Sequence, residues 1–416
     1  MEPVENRRDY LLRLSAEILW PRARRMVCRE VSDHLEDALC GYLEEGMERE
    51  EAEKRAVRDM GDPRETGRDL NRIHRPRPDR LLLGLMLGLA LFGLAIQFMV
   101  HPEGFNRHLA GVAAALLAGL AAWFPDTDRW PARWVLPGLL ASGILLSAGA
   151  PVVNGAVRGA AYLFLLFPVA LAMWTAELPV GRRKAAAVWI MTALAVILAV
   201  RSAGFTMGVY VGLAGVIFGT GPYREGESLA PVRIRRGAMI LAGLAGAYLA
   251  LVTSPYRQMR YSGVLSPGKD PLGNGWLTLQ IRRLLTGSES LETAVLPGAH
   301  TDFLLTWLIH RNGWMALMAV LVVFSILLIR IRRRSAILRG RRQRQMVRAV
   351  FFSMVFQLVV YLAANLGFPL LTPLALPFVS YGASFLVVQA WMSGWMLSAL
   401  RDGRYPDPVE DSVVSG

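Results

Sequence analysis

The residues best suited to chemistry lie in one long polar stretch, residues 255–302, between two apolar runs. This stretch ends in His300, Thr301 and Asp302, directly before an apolar run that starts at Phe303. A carboxylate at the mouth of a membrane helix, near several cations, can act as a base toward a substrate hydroxyl. The alternative is that Asp302 and Thr301 only cap the helix that starts at Phe303, a common role of both residue types. Both interpretations stay open on spacing alone.

The composition predicts that the chain belongs in a bilayer. Its 416 residues are 53% hydrophobic and 19% charged, which is too apolar for an ordinary soluble protein of this size. The net charge of +13 could indicate nucleic-acid binding, but the arginines form short clusters between apolar runs, as in the cytoplasmic loops of membrane proteins. We therefore expect no nucleic-acid partner. Cys28 and Cys40 fall in a segment that we place in the reducing cytosol, so no disulfide is predicted.

Apolar runs long enough to cross a bilayer recur along the chain. A hydrocarbon core of roughly 30 Å requires about 20 apolar residues per helix. Candidate spans lie near residues 81–100, 108–124, 134–150, 160–176, 185–201, 203–219, 236–254, 303–329, 348–368 and 380–400. The sequence therefore predicts an all-α, polytopic membrane domain of about ten transmembrane helices in residues 77–403.

The basic residues predict the side of each loop, because short cytoplasmic loops carry the excess of Arg and Lys. With residue 1 inside, the inner loops hold Arg129 and Arg133, Arg182 to Lys184, Arg224 to Arg236, and Arg330 to Arg348. The short outer loops hold only Arg107, Arg158 and Arg201. Both termini are then cytoplasmic, including a short tail at 404–416, and 255–302 is the one long external loop. A loop of this length is usually functional or carries its own structure.

Residues 1–76 are predicted to form a small, soluble, cytosolic helical domain. Apolar residues recur at helical spacing from Tyr10 to Leu19, and further helices are expected near 22–45 and 50–60. Gly61-Asp62-Pro63 is a stop signal, and the Arg-Pro run that follows is a short, stiff linker. The pattern resembles the helical prefix domain that is fused to various bacterial permease-like proteins, which by analogy implies regulation or partner contact.

Motifs in a fixed order carry a second resemblance. They are Asn154-Gly155-Ala156 with Arg158; Tyr256-Arg257 with Arg260; Pro267, Asp270-Pro271, Gly273 and Gly275; Leu296-Pro297 with His300 to Phe303; and Leu376 to Ser384. This order resembles the SEDS family (shape, elongation, division and sporulation), which includes RodA, FtsW and SpoVE. The resemblance covers roughly residues 81–400 and is clearest in the last 150.

The resemblance implies a peptidoglycan glycosyltransferase that polymerises lipid II, a lipid-linked disaccharide, at the outer face of the bacterial cytoplasmic membrane. Nucleotide sugars are absent there, so a glycosyl donor must arrive on a lipid, among the membrane lipids that surround the helices. A single-pass transpeptidase of the penicillin-binding class is the implied protein partner.

The same resemblance assigns roles to residues. Asp302 matches the family aspartate proposed as catalytic, and would take the proton from the acceptor hydroxyl. The cations that could hold the departing diphosphate are Arg257, Arg260, Lys269 and Arg158. The other candidate substrate-binding residues are Asp270, His300, Thr301, Ser380 and Tyr381. A divalent cation could share the charge, although no cluster has spacing that demands a metal.

Departures from the family pattern support two alternatives. His310 and Arg311 stand where the family usually has two acids, Gly298 where it often has Glu, and only Pro168 survives of its QPSE motif. These changes favour a non-catalytic scaffold or sensor in envelope or sporulation control. A flippase for lipid-linked precursors is the other alternative, and it would require charged or broken helices near the membrane midplane.

Overall fold

The computed structural model describes residues 6–74, 79–125, 127, 132–153, 156–157, 159–178, 182–219, 232, 234, 237–241, 243, 255–288 and 296–403. The described residues belong to two compact units, one within Met1–Pro78 and one within Asp79–Arg404.

The first unit is a bundle of four helices. They are α1 (Arg7–Glu17), α2 (Pro21–Glu44), α3 (Arg49–Asp59) and α4 (Pro63–His74). Tyr10, Leu14 and Val27 are in its apolar core, as the helical spacing of α1 predicts. The third helix ends at Asp59, just before the predicted stop signal Gly61-Asp62-Pro63. The fourth helix was not predicted, and it starts at Pro63 because the first turn of a helix needs no N–H from the proline.

The second unit contains the membrane helices and a small β-ribbon. Its elements are α5 (Arg80–Val100), α6 (Phe105–Trp123), α7 (Ala132–Gly149), β1 (Val152–Val153), β2 (Ala156–Val157), α8 (Ala160–Leu165), α9 (Phe167–Glu177), α10 (Arg182–Ser202), α11 (Phe205–Gly219), α12 (Pro255–Leu265), α13 (Trp276–Thr286), α14 (Leu304–Asn312), α15 (Met315–Ala336), α16 (Arg341–Asn365) and α17 (Ala383–Asp402). The two strands pair antiparallel.

The polytopic membrane architecture is confirmed. Among the described residues, five segments are long and apolar enough to cross a bilayer: α5, Pro102–Trp123, α15, α16 and α17. Three shorter apolar helices lie within α7, α10 and α11. The predicted span at 236–254 lies largely outside the described residues.

Two predicted spans are not continuous helices. The span at 303–329 is broken after Asn312 by Gly313, whose φ of 74° leaves the right-handed helical region. The span at 160–176 is broken at Leu166, because Pro168 has no N–H to continue the hydrogen-bond ladder from the preceding turn.

Close helix contacts depend on small residues. A side chain added at Gly394 on α17 would lie 2.2 Å from the backbone oxygen of Gly119 on α6. At Gly111, an added Cβ would lie 2.8 Å from the Cβ of Ala383. Because lipid tails are as apolar as side chains, helices in a bilayer are held by such close van der Waals contact.

The long loop predicted outside the membrane has its own helices, α12 and α13. Ile281 and Leu284 of α13 are buried against Phe303 and Ala364. Arg282 then ties the loop to the end of α16, because its Nη2 donates to the backbone oxygens of Val264 and Gly367, both 3.2 Å away. The loop is therefore a packed platform beside the residues that start α14.

Candidate functional site

A tight turn presents Asp302. Gly298 has a φ of 72°, and its carbonyl oxygen accepts hydrogen bonds from the backbone N–H groups of Thr301 and Phe303, at 2.9 and 3.0 Å. The Thr301 hydroxyl also donates to that oxygen, at 3.3 Å. A residue with a side chain is strained at this φ, so glycine fits the position where the family often has Glu.

Three consecutive backbone carbonyls of this turn are held by different parts of the fold. The oxygen of His300 accepts from the side-chain amide of Gln97 at 2.9 Å and from the N–H of Tyr381 at 3.1 Å. The oxygen of Thr301 accepts from the Ser380 hydroxyl at 2.8 Å. The oxygen of Asp302 accepts from the Asn365 amide at 2.9 Å. The backbone around Asp302 is thus fixed from α5, α16 and the segment before α17.

The start of α14 is not capped by Asp302 or Thr301. The N-cap residue is Phe303, and no side chain of the turn serves as a cap. Instead, the hydroxyl of Tyr361 accepts from the N–H of Leu305, and Oδ1 of Asn365 accepts from the N–H of Thr306, both at 2.9 Å. The capping interpretation is therefore wrong, because α16 supplies the acceptors that a helix start needs.

The Asp302 side chain remains available for chemistry. It forms no hydrogen bond or ion pair with the described residues. Burial raises the pKa of its carboxyl group from the ordinary 3.8 to about 6, because a low-dielectric surrounding disfavours the charged form. A carboxylate with a pKa near the working pH is a better general base than an ordinary surface aspartate.

Histidine and tyrosine rings pack beside the turn. The His300 ring stacks on His101 with centroids 4.5 Å apart, and the edge of Tyr381 meets both. His108 stacks on the other side of Tyr381, at 5.5 Å. Burial and the neighbouring His101 lower the pKa of His300, which favours the neutral ring, the form that packs against another histidine without charge repulsion.

Ser380 is fully buried, and its hydroxyl is used within the fold. It donates to Thr301 and accepts from the N–H of Leu376, at 2.9 Å. The preceding residues make a close approach to α5, since a Cβ on Gly93 would lie 2.8 Å from the oxygen of Phe378. The structure therefore places Ser380 behind the turn that presents Asp302.

Asp270 organises the first part of the loop. Its carboxylate accepts from the N–H groups of Gly273 and Asn274, at 3.1 and 2.8 Å, and from the Asn274 amide at 3.2 Å. Side-chain acceptance of this kind is typical of Asp in tight turns. Asp270 is exposed, and substrate contact by it stays a prediction.

The predicted cations that the structure describes, Arg257, Arg260 and Lys269, do not pair with Asp302. Arg257 lies over the ring of Phe205, 5.0 Å from its centroid, Arg260 is half-buried on α12, and Lys269 is exposed. Arg158 lies outside the described residues. A role for these side chains in holding a diphosphate stays a prediction.

The two basic residues that depart from the family pattern lie at the end of α14. Nδ1 of His310 is 2.9 Å from the carbonyl oxygen of Leu284, which links α14 to α13. The guanidinium of Arg311 lies over the Trp307 ring, 5.4 Å from its centroid. His310 is thus part of the packing of the loop, whereas Arg311 is exposed.

Sequence reasoning missed Gln97, Tyr361 and Asn365, the residues that hold the turn. For Gln97 and Asn365 the sequence does contain an indication, since a side-chain amide inside an apolar helix is energetically costly unless it has a hydrogen-bond partner. No partner could be assigned, because the bonded groups are far apart in sequence. Among the described residues, no group of three or more His, Cys, Asp or Glu side chains is arranged to hold a metal ion.

Comparison with known protein families identifies the family of this chain. The family described as cell cycle proteins, with FtsW, RodA and SpoVE as its members, matches residues 163–405, more than half of the chain. The chain belongs to the FtsW, RodA and SpoVE family. The matched residues include the long loop with α12 and α13, the turn at Asp302 and the whole of α17.

Individual relatives of the family align over parts of the chain. The probable peptidoglycan glycosyltransferase FtsW of Pasteurella multocida is 30% identical over 180 residues, which are 40% of this chain and 45% of that protein. The protein of the same name from Trichlorobacter lovleyi is 26% identical over 364 residues, 77% of this chain and 92% of that one. The chain thus spans about half the length of the first of these relatives and most of the second.

Solved structures of the FtsW, RodA and SpoVE family share the fold. A chain described under structural coordination of polymerization and crosslinking by a peptidoglycan synthase complex aligns with a TM-score of 0.63 and 24% identity, covering 79% of this chain and 99% of that one. The rod shape determining protein RodA of Thermus thermophilus aligns with a TM-score of 0.57 and 21% identity, covering 79% and 98%. At these identities the likeness concerns the fold.

Proposed function

We propose that this protein is a peptidoglycan glycosyltransferase that polymerises lipid II at the outer face of the bacterial cytoplasmic membrane. The observation that carries the proposal is the carboxylate of Asp302, which is held on a rigid turn, is free of partners among the described residues, and has a pKa raised to about 6. Relatives named as probable peptidoglycan glycosyltransferases supply the reaction class.

In the proposed reaction Asp302 accepts the proton of the acceptor sugar hydroxyl as the oxygen attacks the anomeric carbon of the donor. The bond from that carbon to the lipid diphosphate breaks, and the diphosphate leaves with the electron pair. General-base catalysis of this kind contributes about 10²- to 10⁴-fold. The rigid support of the turn favours it, because a misplaced base loses most of this gain.

The cellular arrangement is part of the proposal. The termini are in the cytoplasm, and the loop with α12 and α13 faces outward. A single-pass transpeptidase of the penicillin-binding class is the partner, which a fold relative in a peptidoglycan synthase complex supports. The helical unit before Asp79 is proposed to serve regulation or partner contact.

The test is polymerisation of labelled lipid II by the purified full-length protein, with and without a candidate transpeptidase. Asp302→Asn keeps the size of the side chain and removes the base, so polymer should fall at least about 100-fold. Glu177→Gln is the control, since it is the same acid-to-amide change at a carboxylate that pairs with Arg342, at the end of α16 opposite to Asn365, and activity should change by less than about threefold. Full activity of Asp302→Asn would remove Asp302 from the reaction.

The non-catalytic scaffold is a second candidate, because Arg311 replaces a residue that is usually acidic in the family. It predicts binding of lipid II without polymer from the wild-type protein, even with the transpeptidase present. That result would replace the first proposal.

A further inference from the structure

An open groove runs between α5 and the pair α14 and α15. It has a volume of about 630 Å³, and most of its lining is apolar, with Phe92, Ile96, Val320 and Phe324 among the wall residues. An empty space between helices forfeits van der Waals contacts. In a bilayer, such a groove is therefore filled by a hydrocarbon chain.

Two glycines on α5 widen this groove. Gly84 and Gly88 are one helical turn apart, and both line it. A Cβ added at either position would meet nothing within 4 Å, whereas at Gly93 on the same helix it would lie 2.8 Å from the oxygen of Phe378. Gly84 and Gly88 thus do not serve close helix packing, and they leave room for a chain beside α5.

A positively charged side chain lies at one end of the groove. Arg311 lines the groove together with Asn312, and the guanidinium of Arg311 makes a cation–π contact with the Trp307 ring. No carboxylate of the described residues lies within ion-pair distance of Arg311. The arginines near the other end are different, because Arg330 and Arg334 both pair with Asp79. Arg311 is therefore available to the anionic head of a lipid.

The end of the groove near Arg311 adjoins the turn of Asp302. Ile96 and Val379 line the groove, and the neighbouring Gln97 donates to the carbonyl of His300. Asp302 lies two residues before the start of α14, and Arg311 is in the last turn of that helix. The nine residues of α14 span about 13 Å at the usual helical rise, a gap that two linked sugar rings can bridge.

We propose that this groove binds the prenyl chain of the lipid-linked acceptor, with Arg311 on its diphosphate and the acceptor hydroxyl at Asp302. The inference rests on the proposed function and assigns a subsite to it. A single groove between α5 and the pair α14 and α15 fits one chain better than the two chains of a phospholipid. A guanidinium suits a diphosphate, because it offers several donors in a fixed plane. Arg311 stands where the family usually has an acid, so this contact belongs to this chain.

The experiment measures binding of undecaprenyl diphosphate to the full-length protein in nanodiscs of neutral lipid. All proteins carry Asp302→Asn, so turnover does not interfere. Arg311→Gln should weaken binding roughly tenfold or more, as expected for the loss of a charge-assisted contact. Arg107→Gln is the control, because Arg107 is also exposed and lies on α6, away from the groove. Equal affinities of the protein with Arg311→Gln and the protein that keeps Arg311 would overturn the proposal.

A second pair of variants tests the groove itself. Gly88→Leu places a side chain in the open space, and should also weaken binding at least tenfold without loss of folding, since leucine is a better helix former than glycine. Gly138→Leu is the matched control on α7, where an added Cβ also meets nothing within 4 Å. Unchanged binding by Gly88→Leu would overturn the assignment of the groove.

Two further measurements separate this inference from the proposed function. Phosphatidylglycerol added to the nanodiscs should not displace undecaprenyl diphosphate, and equal competition would overturn the assignment to a prenyl lipid. In the active background, Arg311→Gln should raise the KM for lipid II more than it lowers kcat, and an unchanged KM would overturn the subsite. If the wild type binds the lipid through Arg311 but makes no polymer, the proposed function fails and the groove stands.

Discussion

The side-chain amide of Asn365 donates a hydrogen bond of 2.9 Å to the backbone oxygen of Asp302. Oδ1 of the same side chain accepts from the N–H of Thr306, at 2.9 Å. One buried amide thus fixes both the candidate base and the start of the helix that follows it. This arrangement replaces a local cap, and it leaves the carboxylate of Asp302 without a hydrogen-bond partner among the described residues.

Asn365→Leu should therefore impair both stability and activity. It leaves the carbonyl of Asp302 and the N–H of Thr306 buried without partners, at a cost of about 1–3 kcal/mol each. Polymerisation should fall at least about tenfold, because the base is no longer held in place. Ser353→Ala on the same helix is the control, since it removes the contact to Tyr210 far from the turn. It should lower the melting temperature and leave activity within about twofold. Equal loss of activity in both variants would contradict a positioning role of Asn365.

Activity should depend on pH through Asp302. The carboxyl group has a pKa of about 6, and only its ionised form can accept a proton. The kcat/KM for lipid II should therefore be constant above pH 7 and fall about tenfold per unit below pH 6. Initial rates between pH 4.5 and 8.5 measure this. A profile that stays flat down to pH 5 would contradict the raised pKa.

Asp302→Asn should stabilise the protein at neutral pH. The folded pKa of about 6 lies above the ordinary 3.8, so between these values the folded protein keeps a proton that the unfolded chain has lost. Raising the pH through this window lowers the free energy of unfolding, by up to about 3 kcal/mol. The melting temperature of Asp302→Asn should exceed that of the wild type at pH 7.5, and the difference should vanish near pH 4. A lower melting temperature at pH 7.5 would contradict the burial cost.

Asp79→Asn should destabilise the membrane unit. Asp79 accepts from the N–H of Leu82 at the start of α5 and pairs with Arg330 and Arg334 of α15. Burial alone favours the neutral acid, but these donors outweigh it and hold the pKa of Asp79 below its ordinary value. We expect a loss of about 2 kcal/mol at pH 7, measured as a lower melting temperature in detergent.

The control for Asp79 is Glu177→Gln, because Glu177 pairs with Arg342 but is itself exposed. Its effect should stay below about 1 kcal/mol. The contribution of Asp79 should also disappear as the pH falls through its lowered pKa, since the protonated acid no longer pairs. Equal effects of the two variants at pH 7 would show that the link between α5 and α15 adds nothing beyond a surface ion pair.

The sequence by itself determined the class of the protein, the approximate positions of most membrane helices and the position of Asp302. These features depend on apolar run length and on motif order, which are local properties of the chain. It also left two features unpredicted, because the local signals for them are weak. The helix that starts at Pro63 was missed, and the run at 303–329 contains a break at Gly313 that hydropathy does not register.

Only the tertiary structure excluded a capping role for Asp302. Thr301 and Asp302 have the residue types of a helix cap, and nothing nearby in sequence argues against that role. Tyr361 and Asn365 exclude that role, because they supply the acceptors that the helix start needs from about 60 positions away. Arg311 is a similar case, because the role proposed for it depends on the groove beside α5. Hydrogen-bond satisfaction is a property of the whole fold, because a buried donor can be met by any acceptor that packing brings within reach.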